Sequence, residues 1–264
     1  MKNTIIFISL ILFMLILDSC QDVIDIDLNS SQPQLVIEGS IQTDSVCVVK
    51  LSYTSGFYSK DSSSTADNAE VILSDDKGNS ETLSFTGSGI YRGNTLKGLE
   101  NTTYSLVITN DGETFEGKVM LIPKSKIYSI DPEKIDLPNP GNTKNYTLNL
   151  KFAASQETES YYLIKYFRED NTYEFNAIEG IRFTSNDTVQ FNSPRRRYSQ
   201  GDYARIEISP VDYDIYNFYR QLSDVEQSGI RGSSAPYNPQ SNMGDGILGC
   251  FTALSISSEE FIVE

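Results

Sequence analysis

The chain has no histidine and no tryptophan, and only three cysteines. Without imidazole there is no Ser-His-Asp or Cys-His nucleophilic system, no His-ligated metal and no histidine proton shuttle. Without histidine or a cysteine cluster, a zinc or copper centre lacks its usual ligands. Positive charge is scarce as well: 21 Lys and Arg stand against 36 Asp and Glu, for a net charge of -15 and a pI near 4.4. A nucleic-acid binder needs a basic footprint, so nucleic acid is not the expected partner. No repeat of fixed period is evident, and past residue 17 no run is apolar and long enough to span a bilayer. What is present is a 264-residue chain, 39% hydrophobic and 22% charged. That is enough apolar material for a packed core in one large or two small domains, and too much for a disordered chain.

The one long apolar run lies at the N-terminus. Lys2 precedes 13 residues, Ile5 to Leu17, interrupted only by Ser9. A spanning helix needs about 20 residues, whereas a signal-peptide core needs about 7–15. The run ends at Leu17-Asp18-Ser19-Cys20, which resembles the lipobox read by lipoprotein signal peptidase. That resemblance implies that residues 1–19 are removed and that Cys20 is diacylated on sulfur, a membrane anchor made firm by two or three acyl chains. The alternative is an ordinary cleaved signal with an incidental cysteine. Residues 20–32 then form a leader in which Asp22, Asp25 and Asp27 alternate with Val23, Ile24, Ile26 and Leu28. Acids close behind a lipidated cysteine resemble the surface-export signal of Bacteroidota-type lipoproteins; a plain solvated leader is the other reading.

The body is β-patterned. Residues 34–40, 46–53, 69–74, 81–85, 89–92, 103–109 and 114–120 are short β-branched or alternating runs separated by turn chemistry. Asp111-Gly112 is a two-residue hairpin signal, because a type I′ turn needs positive φ twice, and Gly78 can supply positive φ in the turn at 75–79. About seven strands in 33–122 fit an Ig- or transthyretin-like sandwich. Pro123 closes this unit. Residues 129–141 are proline-punctuated and read as irregular or as an edge segment. A second β set follows at 145–153, 160–168, 173–176, 181–184, 189–192 and 203–209. Ile215, Tyr219, Leu222 and Val225 then recur at helical spacing, with Asp212 as N-cap and Gly229 as stop. Residues 246–256 read as a final strand or hairpin. The expected fold is therefore mainly β, an N-terminal sandwich over 33–122 followed by a second β-rich domain over 123–264 that contains one amphipathic helix near 212–227.

Chemistry-bearing residues are sparse. Cys47 and Cys250 both lie in apolar strands; a bridge and two buried free thiols are both open. Asp75, Asp76 and Asn79 share a turn but lack the EF-hand spacing, and the acids name no calcium ligand set. No nucleophile motif accompanies any carboxylate pair, so hydrolysis is the least favoured class. Aromatic residues gather at Tyr161, Tyr162, Tyr166 and Phe167 and on the helix at Tyr213, Tyr216, Phe218 and Tyr219, where packing is the default and sugar or peptide stacking the alternative. Surface-contact candidates are Tyr53, Phe57 and Tyr58 in a Ser-rich loop, Tyr237 in the tail loop, and the basic run Arg195, Arg196 and Arg197, which suits either the protein's own carboxylates or an acidic partner.

The order of these features resembles a known family. The lipobox-like cysteine and the 24–28 leader are followed by Leu35-Val-Ile-Glu-Gly39, Ala69-Glu-Val-Ile-Leu73, Gly89-Ile-Tyr91 and Tyr104-Ser-Leu-Val107. A Tyr-rich helix then precedes Ala235-Pro-Tyr-Asn-Pro239 and Gly244-Asp-Gly-Ile-Leu-Gly249. The chain looks like the Bacteroidota outer-membrane lipoproteins classed as domain of unknown function 4249. The resemblance implies an outer-membrane, surface-exposed, lipid-anchored protein that works beside a TonB-dependent receptor in uptake. It carries over no catalytic residue and no cofactor. The expected function is a non-enzymatic accessory or binding subunit; a stand-alone glycan- or peptide-binding lipoprotein is the alternative.

Overall fold

A computed structural model describes residues 32–55, 64–135, 145–155, 159–169, 174–183, 188–192, 198–231 and 237–264. The signal segment, the leader and Cys20 lie outside these residues, as do Phe57, Tyr58 and Arg195–Arg197.

Alternation drives the first half into strands whose odd and even residues part cleanly. In β1 (Leu35–Gln42), Leu35, Ile37 and Ile41 are buried while Glu38 is exposed. In β2 (Val46–Tyr53), Cys47, Val49 and Leu51 are buried on the same side. The sheet continues through β6 (Ile90–Lys97) to β5 (Ser84–Gly87). A second sheet runs β4 (Ser80–Thr82), β3 (Glu70–Asp75), β7 (Thr102–Asn110) and β8 (Glu113–Leu121). Leu106, Ile108, Val71 and Leu73 from this sheet join Ile37, Val49 and Leu51 in one core. The β7–β8 turn carries φ of 51° at Asp111 and 84° at Gly112, the left-handed pair its sequence predicts. Buried tyrosine hydroxyls are satisfied: Tyr91 donates to the Ala66 carbonyl at 2.8 Å and accepts the Ala69 N–H at 2.9 Å.

The second half builds another pair of sheets. β10 (Asn145–Ala153) lies between β9 (Ile127–Ile135) and β13 (Thr188–Asn192), with the short β14 (Tyr198–Ser199) also on β10. The facing sheet runs β12 (Glu174–Phe183), β11 (Ser160–Glu169), β15 (Tyr203–Val211) and β17 (Ser257–Ile262). Leu148, Leu150, Phe152, Tyr162, Ile164, Tyr166, Ile206 and Ile208 fill the core between them. The protein is thus mainly β, with one helix among the described residues, α1 (Tyr213–Arg231).

The edge reading of the proline-punctuated stretch at 129–141 holds over its described part: it begins as strand β9, and Pro132 sits opposite Leu148. Among the described residues β10 is the only strand paired with β9, so the missing proline N–H falls where an edge strand tolerates it. Other local expectations are corrected. The separate runs at 173–176 and 181–184 form one strand, β12. Asp212 does cap α1, its Oδ1 accepting the Ile215 N–H at 3.1 Å. Gly229 does not stop the helix, which continues to Arg231, because glycine permits a left-handed terminus without requiring one. Of the two readings of 246–256, the strand holds and the hairpin does not. β16 (Leu248–Leu254) pairs in parallel with β1, from Val36 opposite Leu248 to Gln42 opposite Leu254, while β17 pairs with β15 in the other sandwich.

Candidate functional site

The parallel β1–β16 pair has two faces. Gly39 and Phe251 are register partners on the inner face, where a side chain on Gly39 would press on the Phe251 ring. On the outer face the partners are Val36 and Leu248, Glu38 and Cys250, Ser40 and Thr252, and Gln42 and Leu254. Phe218, Tyr219 and Leu222 of α1 stand over this face, with Lys165 of β11 and Asn238 and Pro239 of the tail loop at its sides. Together they enclose a groove of about 540 Å³, within the size range of small-molecule sites.

Each wall is fixed. Gly249 has φ of 90°, and a Cβ there would run into the Ile37 carbonyl oxygen, so glycine is what lets β16 lie against β1. The open edge of β16 is occupied by Asn242. Its Oδ1 accepts the Phe251 N–H at 2.9 Å and its Nδ2 donates to the Phe251 carbonyl at 2.7 Å, as a neighbouring strand would. Met243 is buried where Gly117 of β8 leaves room. The tail loop is tied to α1 by the Gln240 N–H donating to Gln221 Oε1 at 2.7 Å. Tyr161 packs its ring 4.9 Å from that of Tyr216 and 5.4 Å from that of Tyr213, joining α1 to β11.

The polar groups of the groove are unequally served. Thr252 Oγ1 donates to the Gly39 carbonyl at 3.1 Å. The Glu38 carboxylate pairs with Lys50 at 3.3 Å. Ser40 Oγ is buried with no hydrogen-bond partner among the described residues. Lys165 is half-buried and has no ion pair among the described residues. Its cross-strand neighbour Glu207 is held by Arg205 at 2.8 Å. Burial pushes the Tyr219 phenol up to about 12, with the Glu38 carboxylate adding to it, so this hydroxyl stays a donor at neutral pH.

The two cysteines are free. Cys47 faces the core of the first sandwich and Cys250 faces the groove, on opposite sides of one sheet, so their Cβ vectors do not meet. Burial, with Glu81 adding, pushes the Cys47 thiol up to about 12; burial also raises that of Cys250, with Asp212 and Asp214 adding. Both remain thiols at neutral pH, without the thiolate that nucleophilic or metal-binding work needs. Among the described residues, no three Cys, Asp or Glu side chains gather as a metal site. No helix among them is long and apolar enough to cross a membrane.

Of the contact candidates named by the sequence, Tyr237 is exposed and adjoins the Asn238–Pro239 wall of the groove. Tyr53 lies elsewhere. It faces inward from β2, donates to Asp111 Oδ2 at 3.0 Å and accepts from Asn110 Nδ2 at 2.8 Å, fastening β2 to the β7–β8 turn. The sequence named Leu222 only for helical spacing and did not single out Ser40 or Lys165. Its usable signals were the polar even positions of β1 and the Tyr219–Leu222 step on α1.

Residues 21–260 match the family model described as "Domain of unknown function (DUF4249)", and the chain belongs to that family. No curated protein matches the chain. Among solved structures, a crystal structure of a DUF4785 family protein from Legionella pneumophila subsp. pneumophila str. Philadelphia 1 is 13% identical over 67% of this chain and 52% of that one, with a TM-score of 0.24. The present chain thus spans about half the length of that relative. A cytokine receptor complex chain is 9% identical over 85% of this chain and 94% of its own, again with a TM-score of 0.24. At that score neither carries an argument.

Proposed function

We propose that this protein is a non-enzymatic lipoprotein of a Bacteroidota-type outer membrane, held by lipid on Cys20 and acting as the binding accessory of a TonB-dependent receptor in uptake. The observation that carries the reading is at the N-terminus: an apolar run of 13 residues ends in Leu17-Asp18-Ser19-Cys20, and the family match begins at the next residue, 21. The acids that follow favour display on the cell surface. The groove between β1, β16 and α1 gives the body a place to hold a small molecule, and this favours ligand capture without a fixed receptor as the second reading.

Growth with a clickable fatty acid tests the anchor. The wild-type chain is expected to take up label and partition with membranes, and Cys20→Ser to do neither. Equal, blank labelling of both chains overturns the proposal. Purification of the labelled chain with its neighbours separates the readings: a β-barrel receptor in fixed ratio supports the accessory role, and a solitary chain supports capture.

A further inference from the structure

We propose that the groove is a site for small apolar molecules that carry a carboxylate, with the carboxylate held by Lys165 and Ser40 and the apolar body lying against Phe218, Leu222, Leu248 and Leu254. This deepens the binding reading and rests on it for its biological context, while its geometry stands on the fold alone.

Size and lining define the body of the ligand. About 540 Å³ suits a molecule of small-metabolite dimensions. Most of the surface that the lining exposes is apolar, so most of what enters must be apolar to repay its desolvation. Charge defines the head. Two formal charges line the groove, and one of them, Glu38, is already matched by Lys50. Among the described residues the ammonium of Lys165 has no such match, and the nearby Glu207 is engaged by Arg205. A half-buried cation without a counter-ion among the described residues is an incomplete arrangement in a protein carrying 36 acids, and a ligand carboxylate completes it. Ser40 Oγ, on the β1–β16 face and on the partner residue of Thr252, adds a second hydrogen-bonding position left unfilled among the described residues. A neutral guest would leave both needs unmet, and a cationic guest would oppose Lys165.

Phenylbutyrate is a suitable probe, with phenylbutanol and phenylbutylamine as its neutral and cationic counterparts. The full chain is placed in lipid nanodiscs, and calorimetric titrations are corrected with empty nanodiscs. The acid is expected to bind saturably and about tenfold or more tighter than the alcohol, the increment of one charge-assisted contact, and the amine not to bind. Lys165→Met should erase the preference for acid over alcohol, Lys165→Arg should keep most of it, and Ser40→Ala should lower it. Each variant is first required to keep the wild-type circular dichroism and melting midpoint. Equal binding of acid and alcohol, an unchanged preference in Lys165→Met, or no saturable binding to the folded wild type overturns the proposal. A chain that binds phenylbutyrate but carries no lipid on Cys20 would sink the anchoring and leave the groove standing. The reverse result would do the opposite.

Discussion

Glu81, in β4, reaches across to β6 and accepts four hydrogen bonds there. Oε2 takes the Asn94 N–H at 3.1 Å, the Thr95 N–H at 2.9 Å and the Thr95 hydroxyl at 2.9 Å, and Oε1 takes the Leu96 N–H at 3.1 Å. These are the amides left over where β6 slips in register against β2, between Val46 and Val48. Burial pushes the Glu81 carboxyl up, but the Thr95, Asn94 and Leu96 bonds together outweigh it and hold the group below the usual glutamate range. A carboxyl whose folded value is depressed stabilises the fold above its unfolded value, about 4.3, and that gain fades as the pH falls through the folded value. Glu81→Gln keeps one acceptor and loses the charge. It should cost about 1–2 kcal/mol near neutral pH, with the gap to wild type narrowing once the pH drops below about 4. Urea midpoints of both proteins across that range check this; a gap that stays constant with pH would mean that the charge plays no part. Nothing local in the sequence marks Glu81, because its partners lie 13–15 residues away on a different strand.

At the scale of elements, the join between β1 and β16 depends on Gly249. Its φ of 90° is strained for any other residue, and a Cβ would strike the Ile37 carbonyl oxygen. Gly249→Ala should therefore separate the two strands, costing about 3 kcal/mol or more, and should speed amide exchange in β1 and β16 ahead of β2. Protection unchanged in β1 would show that the backbone accommodates the methyl. The element content was legible where its causes are local. Asp111-Gly112 named its turn, Asp212 named the start of α1, and runs of strand length bounded β2 and β10 to the residue. The pairing of β1 with β16 was not, because it joins residues more than 200 positions apart and each strand alone is only an apolar run. The merging of β12 and the edge strand through Pro132 were settled by neighbours as well. The groove shares this opacity: its walls come from β1, β11, α1, the tail loop and β16, so a sequence scan finds Tyr237 on the rim and passes over Ser40 and Lys165.

For the whole molecule, the last residues serve both halves. β16 completes the first sandwich, β17 completes the second, and only Ser255 and Ile256 separate them. Ser255 and Ser257 donate their hydroxyls to the carbonyls of Ile122 and Ser125, clamping the connector between the sandwiches. Leu163, Val211 and Ile215, from the second half of the chain, are buried in the core of the first. Pro33–Glu264 accordingly forms one compact unit. Such sharing makes the two cores lose support together, so calorimetry should record a single endotherm. Its enthalpy should be roughly 160 kcal/mol near 60 °C, at about 0.7 kcal/mol per residue, with equal calorimetric and van 't Hoff values. Deleting 246–264 removes one strand from each sandwich and should abolish the transition altogether. Were the halves independent, wild type would melt in two steps, and a deletion beginning after β16, which spares the first sandwich, would leave one of them intact. Coupled halves predict that this shorter deletion, of 255–264, lowers the midpoint of the whole unit, because the lost clamp and the lost edge strand act on the same equilibrium.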